Sequence, residues 1–212
     1  MLGESYRTIS REACMELIEK RSRFLTCIRP VSAEAEALEL IEEKRRQYWD
    51  ASHNVYAYIL RDNQIRRYSD DGEPQGTAGL PMLEVLQKTG LCDCAAVVTR
   101  YFGGVLLGKG GLVRAYSDAL KLAVEKAGCV EMRLCDCLSL CCAYAQFGWV
   151  EPLLLSMGAC LQKTDYREDV MISFYMSVDD TPHFVAQLKE KSAGTLSVIY
   201  HKQEYHSFLP DI

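Results

Sequence analysis

Two glycine-rich stretches constrain the fold of this chain more than any other feature of its sequence. SDDGEPQGTAGLP covers residues 69–81 and TRYFGGVLLGKGGLVRAY covers residues 99–116, and together they hold eight of the fourteen glycines. Glycine permits positive φ angles and close backbone contacts, so such stretches favour tight connections between helices and strands. Charged residues accompany both stretches, namely Asp70, Asp71, Glu73, Arg100, Lys109 and Arg114.

The segments around these stretches predict a first half of mixed helix and strand. HNVYAYILRD and CAAVVTRYF are rich in β-branched and aromatic residues and are typical of strands, as are SYRTIS and RFLTCIRPV near the start. Apolar residues at helical spacing predict helices over residues 33–49 and 112–128, with Gly128 as the stop of the second. LPMLEVLQKTG predicts a short helix between them, because proline is tolerated in a first turn.

The pattern restarts beyond Gly128 and predicts a second domain. CLSLCCAYA, CLQKTDYRE, DVMISFYMSV and TLSVIYHKQEY are strand candidates, with helices predicted over residues 149–158 and 181–194. This βαββαβ order is that of the ferredoxin-like, or split βαβ, arrangement. The fold class is therefore α+β with two domains, residues 1–130 and 131–212, and a boundary near residues 128–134.

The overall charge excludes one class of partner contact. The net charge is −5 and the pI is about 5.5, so no protein-wide cationic field attracts nucleic acid or anionic membranes. Any contact with a polyanion must be local. The first twenty residues are polar throughout and apolar runs are too short to cross a bilayer, so we expect a cytoplasmic protein without membrane contact.

The ten cysteines are expected to be free thiols, because a cytosolic compartment is reducing. Cys135, Cys137 and Cys141 fall on one side of a predicted strand, and Cys92 and Cys94 form another Cys-x-Cys pair. A zinc site formed by two such pairs is an alternative to free thiols. A regular strand, however, does not provide the knuckle turn in which zinc ligands usually lie. We expect small buried side chains, and neither a metal nor a cofactor is predicted.

The second glycine-rich stretch predicts an anion site. A strand that ends in glycines and opens into a helix leaves the first helical N–H groups free, and these groups with the helix dipole favour negative charge. Residues 103–109 match GxxxxGK, but Gly110 follows where a P-loop needs Ser or Thr, which disfavours a nucleotide triphosphatase. The candidate residues are Gly103, Gly104, Gly108, Gly110, Gly111, Arg100, Tyr101 and Arg114. A purely structural role of the glycines is the alternative.

The first glycine-rich stretch contains three carboxylates, and a histidine earlier in the chain is a further candidate. Asp70, Asp71 and Glu73 are candidates to ligate a hard cation or to pair with arginines such as Arg100, although Asp-Asp-Gly is also ordinary turn chemistry. His53, in ASHNVY, precedes a predicted strand, where it is either a substrate contact or a capping residue. No catalytic residue is assigned, because no partner for His53 follows from spacing.

Three blocks resemble one known family. ASHNVYAY, RYSDDGEPQGTAGLPMLEVL and VVTRYFGGVLLGKGGLVRAY are similar to the signature blocks of the IMPACT family, and the restarting second unit is similar to that of its bacterial YigZ-like members. The resemblance implies a first domain like the second domain of a small-subunit ribosomal protein and like domain IV of elongation factor G. It implies a second domain similar to domain V of that factor, and a role linked to translation regulation.

Carried over block by block, the resemblance implies a binding surface formed by His53 and Asn54, residues 69–76, residues 100–104 and residues 108–114.

Three hypotheses follow for the function. The first is a cytosolic protein that binds RNA or the ribosome through the glycine-rich face of the first domain, with Arg100, Arg114 and Tyr101 suited to phosphate contact and base stacking. The second is an enzyme acting on a phosphorylated small molecule. The third is a module that binds a protein partner.

Overall fold

The computed structural model describes residues 5–61 and 64–208, and the chain divides into two compact units. The first comprises Tyr6–Glu131 and the second Met132–Phe208. The α+β fold class is confirmed, with two sheets and five helices in the described chain. The assignment of residues 1–130 and 131–212 as the two evolutionary domains stays a prediction.

The first unit is built on an antiparallel sheet with helices on both faces. Its elements are β1 (Tyr6–Ile9), β2 (Ala13–Glu19), β3 (Ser22–Pro30), α1 (Glu34–Gln47), β4 (His53–Ile59), β5 (Arg66–Ser69), α2 (Gly79–Lys88), β6 (Cys94–Tyr101) and α3 (Lys109–Ala127). The sheet order is β2-β3-β6-β4-β5, so β6 is the central strand. The predicted strands and helices around both glycine-rich stretches are confirmed.

The alternation of β4 explains why this sheet is covered on both faces. Val55, Ala57 and Ile59 enter the core that α2 and α3 close, whereas Tyr58 and Leu60 join the core beneath α1. Because neighbouring side chains of a strand point to opposite faces, both sets must be apolar in a doubly covered sheet. Burying the two sets favours this layered arrangement through the hydrophobic effect.

The register of the sheet brings the ends of the glycine-rich stretches together. His53 of β4 lies opposite Arg100 of β6, and Phe24 of β3 lies opposite Arg100 on the other side. Side chains at directly paired positions of antiparallel strands share one face. His53, Arg100 and Phe24 therefore lie side by side at the end of the face that α2 and α3 cover.

The second unit has the predicted ferredoxin-like topology. Its elements are β7 (Cys129–Cys142), which begins before the unit boundary, α4 (Tyr144–Ser156), β8 (Cys160–Tyr166), β9 (Val170–Ser177), α5 (Thr181–Lys191) and β10 (Val198–Phe208). β9 pairs antiparallel with both β7 and β8, and β1 and β10 both pair with β7, so the five-stranded sheet has the path β1-β7-β9-β8 with β10 off this path beside β7. The helices close one core against this sheet, with Leu138, Phe174 and Phe184 at its centre.

The expectation that all ten cysteines are free thiols is wrong for one pair. Cys14 and Cys27 lie directly opposite each other in β2 and β3 and form a disulfide. The register produces this pair, and spacing along the chain gives no sign of it, because cross-strand neighbours are thirteen residues apart. Burial raises the pKa of Cys135 to about 11 and raises the pKa of Cys94 as well, so these thiols stay protonated at neutral pH.

Gly103 holds the start of the second glycine-rich loop against the β2–β3 turn. A Cβ on Gly103 would lie 2.0 Å from the carbonyl carbon of Arg21, and the Gly103 N–H donates to Ser22 Oγ at 3.2 Å. Side chains never approach backbone so closely, so only glycine fits here. The loop that leaves β6 is thus placed by direct backbone contact with the neighbouring hairpin.

Replacing Gly103 by alanine is expected to destabilise the protein by about 2–3 kcal/mol, because the added methyl group must displace the Arg21 backbone. The matched control is Gly110→Ala in the first turn of α3, where an added Cβ meets nothing within 4 Å and alanine is the better helix former. Urea denaturation of both variants measures the difference. Equal stability of Gly103→Ala and Gly110→Ala would contradict the packing described here.

Candidate functional site

The first unit contains a pocket of about 560 Å³ at the end of β6, beside the loop that leads into α3. Two groups of residues line most of it. The polar floor consists of His53, Glu73 and Arg100, and the apolar wall consists of Pro74, Phe102, Leu106, Leu107 and Leu112. Ser52, Gly72, Gly108 and Lys109 complete the lining. This volume is in the usual range for small-ligand pockets.

A buried ion pair forms the centre of the polar floor. Arg100 Nη1 lies 2.6 Å from Glu73 Oε1, and the two residues are only 5% and 8% exposed. The guanidinium also faces the rings of Phe24 and Phe102, at 5.5 and 5.6 Å from the ring centres. Of the alternatives for the first glycine-rich stretch, the pairing of a carboxylate with Arg100 is confirmed for Glu73.

Tyr116 completes this network from α3. Its hydroxyl donates to Glu73 Oε1 at 2.8 Å. Burial and the nearby Glu73 carboxylate raise the pKa of Tyr116, which keeps the hydroxyl protonated and able to donate. A carboxylate buried this deeply is stable only when its charge is paired and hydrogen-bonded, and Arg100 and Tyr116 meet both requirements.

Two atoms of the ion pair have no hydrogen bond within the described part of the chain. Arg100 Nε is buried without an acceptor among residues 5–61 and 64–208. Glu73 Oε1 accepts the contacts described above, whereas no hydrogen bond to Glu73 Oε2 comes from those same residues. Glu73 lines the pocket, and Oε2 is the oxygen of its carboxylate that these contacts leave without a donor.

His53 is oriented by the backbone of the first glycine-rich stretch. Its Nδ1 lies 2.7 Å from the carbonyl oxygen of Asp71. A carbonyl oxygen can only accept, so Nδ1 carries the hydrogen and, in the neutral ring, Nε2 carries the lone pair. Nε2 lies 3.8 Å from Glu73 Oε1, beyond hydrogen-bond distance. The polar floor therefore contains two atoms that can accept, Nε2 of the neutral His53 ring and Glu73 Oε2, together with one unpaired donor, Arg100 Nε.

Asp70 and Asp71 shape the loop and do not face the pocket. Asp70 accepts from the N–H groups of Gly76, Ala78 and Gly79, which caps the start of α2. Asp71 accepts from the Asn54 N–H at 2.6 Å and adopts a positive φ of 45°. The turn interpretation of Asp-Asp-Gly accounts for these contacts, since both carboxylates are engaged by backbone donors.

The start of α3 opens onto the pocket as the sequence predicts. Gly108 has a φ of 71° and precedes the helix, and the Leu112 N–H donates to its carbonyl at 3.0 Å. The N–H groups of Lys109, Gly110 and Gly111 have no acceptor among the residues that the structure describes. Gly108 and Lys109 both line the pocket, so a helix N-terminus with a lysine lies at its edge.

The predicted site residues are only partly brought together. The pocket is lined by His53, Glu73, Arg100 and Gly108, but not by Asn54, Asp70, Asp71, Tyr101, Gly103, Gly104, Gly110, Gly111 or Arg114. Asn54 is buried and accepts from Thr99 Oγ1, and the Tyr101 hydroxyl donates to Asp50. Arg114 is exposed on α3, and within the described ranges no ion pair engages it. The contact role of each remains a prediction.

Sequence reasoning missed Tyr116 and two members of the apolar wall, Leu106 and Leu107, whereas Pro74, Phe102 and Leu112 fall within the ranges that the resemblance implies. Phe102 is 48% exposed and Leu106 is 82% exposed, which is unusual for side chains of this size. The available signal was VLL enclosed between glycines in GGVLLGKGG, because apolar residues in a loop have no helix or strand face to bury them. No signal marked Tyr116, whose partner Glu73 is forty-three residues away.

Comparisons with known proteins agree with both halves of the chain. Residues 20–124 match the family model described as Impact N-terminal domain, and residues 140–195 match a domain of unknown function, DUF1949. IMPACT family member YvyE of Bacillus subtilis is 39% identical, over 90% of this chain and 88% of its own. IMPACT family member YigZ of Escherichia coli is 34% identical, over 85% and 90%.

A solved structure is also similar in fold. The crystal structure of an hypothetical protein aligns with a TM-score of 0.60 and 32% sequence identity, covering 96% of this chain and all of that one. In the described residues, no helix combines the length and apolar composition that a membrane crossing requires.

Removing the arginine of the buried pair is expected to destabilise the protein severely. Arg100→Ala leaves the Glu73 charge buried and unpaired, which costs about 3–5 kcal/mol. Arg114→Ala is the control, because this exposed arginine carries no described ion pair and its loss should change stability by less than about 0.5 kcal/mol. Urea denaturation followed by circular dichroism checks both. Similar small losses for the two variants would show that the buried pair contributes little.

Proposed function

We propose that this chain, which belongs to the IMPACT family, is a cytosolic RNA-associated binding protein linked to translation. Its first unit would receive one nucleotide of a single-stranded RNA in the pocket. The observation that carries this proposal is the free first turn of α3, which opens beside the apolar wall of the pocket. RNA supplies a phosphate for the free N–H groups and a flat base for the apolar wall.

The phosphate end of the proposed contact is the start of α3. The N–H groups of Lys109, Gly110 and Gly111 lie at the positive end of the helix dipole, where an anion is stabilised. Lys109 and Arg114 add formal positive charge to the same helix. Since the whole chain has a net charge of −5, these residues would act as a local contact and not as part of a broad cationic surface.

The base end of the proposed contact is the apolar wall. Phe102 offers an exposed aromatic ring, and Leu106 and Leu107 offer apolar surface next to it. Stacking of a base on an aromatic side chain contributes about 1–3 kcal/mol in proteins that bind single strands. Arg100 was predicted to contact phosphate directly, but its pairing with Glu73 favours a supporting role behind Phe102.

A second candidate function is an enzyme that acts on a phosphorylated small molecule. The orientation of His53 favours it, because the Asp71 carbonyl fixes Nδ1 and leaves Nε2 at the pocket to accept a proton. A thermal-shift screen with sugar phosphates and nucleotides separates this candidate from the first. Stabilisation by a non-nucleotide phosphate, with no RNA binding, would favour the enzyme.

RNA binding is expected to weaken when the two cations of α3 are removed. Lys109→Ala/Arg114→Ala should lower the affinity for a labelled single-stranded RNA by about tenfold at low salt and reduce the salt slope by about 1.4, since each single-strand phosphate contact contributes about 0.7. Fluorescence anisotropy over a salt series measures both quantities.

The matched control for this test is Lys88→Ala/Lys121→Ala. It removes the same charge from two exposed lysines, and neither lysine lines the pocket. Its affinity and salt slope should stay close to those of the unmodified protein. If both double variants bind RNA equally well, the start of α3 is not the contact surface.

A further inference from the structure

The disulfide of the first unit joins an exposed cysteine to a buried one. Cys14 lies on β2, the edge strand of its sheet, and is exposed, whereas Cys27 of β3 is only 6% exposed. Exchange of a disulfide begins when a thiolate attacks one of its two sulfurs. A thiolate in solution can reach Sγ of Cys14, while the protein shields Sγ of Cys27. This disulfide is therefore open to exchange from one side.

The other eight cysteines are free thiols. Cys141 is also exposed, but it lies opposite Met171 in the register of β7 and β9, so this pair of strands gives it no thiol partner. Small domains that depend on disulfides for their scaffold do so because their cores are too small, and both units here have apolar cores of their own. The Cys14–Cys27 bond is thus a reactive pair and not one part of a disulfide scaffold.

A metal site is the alternative use of the same atoms. An oxygen of Glu12 and the sulfurs of Cys14 and Cys27 all lie within 4.8 Å of one another. Both Glu12 oxygens, however, accept hydrogen bonds from Arg29, at 2.7 and 3.1 Å. A carboxylate held on both oxygens by an arginine is not free to ligate a cation, and two sulfurs alone do not complete a zinc site. Thiol chemistry therefore suits this pair better than metal binding.

We infer that Cys14 and Cys27 are a reversible thiol–disulfide exchange site, whose reaction partner is a dithiol with an exposed thiolate. A thiolate of the dithiol attacks Sγ of Cys14, the bond between the two protein sulfurs breaks, and Cys27 leaves as a thiolate that takes up a proton. The second thiol of the dithiol then attacks its own sulfur in the mixed disulfide and releases Cys14, which also takes up a proton. The dithiol is oxidised to a disulfide, and the two cysteines are reduced.

Reduction loosens the strand on which α3 packs. Ala13 of β2 is buried, and Met15 and Leu17 pack against the core that α3 closes. In the oxidised chain, β2 is held to β3 by the covalent bond as well as by the hydrogen bonds of the ladder, and after reduction only the ladder remains. An edge strand has a paired neighbour on one side only. The exchange therefore sets how firmly this edge of the first unit is held, and it does so independently of any RNA binding.

The first test follows the bond in the unmodified full-length chain. Glutathione disulfide accepts the two electrons for oxidation, and peptide mass spectrometry should then find Cys14 linked to Cys27. Dithiothreitol added to the native protein should convert both cysteines to alkylatable thiols within minutes, because Cys14 is exposed. Failure of the bond to form, or a bond that dithiothreitol breaks only in the denatured chain, would overturn the inference.

The second test measures what the bond contributes. Reduction of the unmodified chain should lower the midpoint of thermal unfolding of the first unit by about 10 °C, because the bond closes a loop in the unfolded chain. Cys14→Ser should unfold at the midpoint of the reduced chain and should not respond to dithiothreitol. Cys141→Ser is the matched control, since it also removes one exposed thiol, and it should respond as the unmodified chain does. A response that persists in Cys14→Ser would assign the effect to other cysteines and reject the site.

The third test locates the effect of reduction by hydrogen exchange and mass spectrometry. Peptides that cover β2 should exchange their amide hydrogens about tenfold faster in the reduced chain, whereas peptides that cover β8 of the second unit should not change. Unchanged exchange in β2, or an equal increase in β8, would contradict the loosening of the edge strand described above.

Discussion

The buried ion pair between Arg100 and Glu73 holds the two glycine-rich stretches together. Arg100 ends the central strand of the first sheet, and Glu73 lies in the loop after an edge strand, so their contact fixes that loop over the end of the sheet. Removing two charges from water is costly, and the pair is tolerable because Tyr116, Ser22 and two aromatic rings surround it. The polar floor of the pocket depends on this contact.

Hydrogen bonds to backbone groups fix the conformation of the rest of that loop. Asp70 accepts from three backbone N–H groups in and just before the first turn of α2, and Asp71 accepts from the Asn54 N–H while its own carbonyl orients His53. The carboxylates that looked available for a cation in the sequence thus organise the loop from within. A rigid polar floor beside exposed Phe102 and Leu106 is a combination suited to reading a ligand with one polar edge and one flat apolar face.

The elements of both units could be predicted because their signals are local. Apolar periodicity and helix stops such as Gly128 depend on residues only a few positions apart, and the βαββαβ order of the second unit follows from the sequence of such segments. The cysteines show the opposite case. Cys14 and Cys27 become neighbours only through the register of β2 and β3, so reasoning from the compartment alone missed their disulfide.

By itself, the sequence determined where glycine leaves the backbone without side chains and where helix α3 begins, because glycine and helix-start preferences act within a few residues. It also brought His53, Glu73, Arg100 and Gly108 under consideration. Only the tertiary structure decided that Arg100 forms an ion pair with Glu73, that Tyr116 of α3 donates a hydrogen bond to Glu73, and that leucines line the pocket. These contacts join residues far apart in the chain, and their existence depends on sheet order and register, which no local pattern encodes.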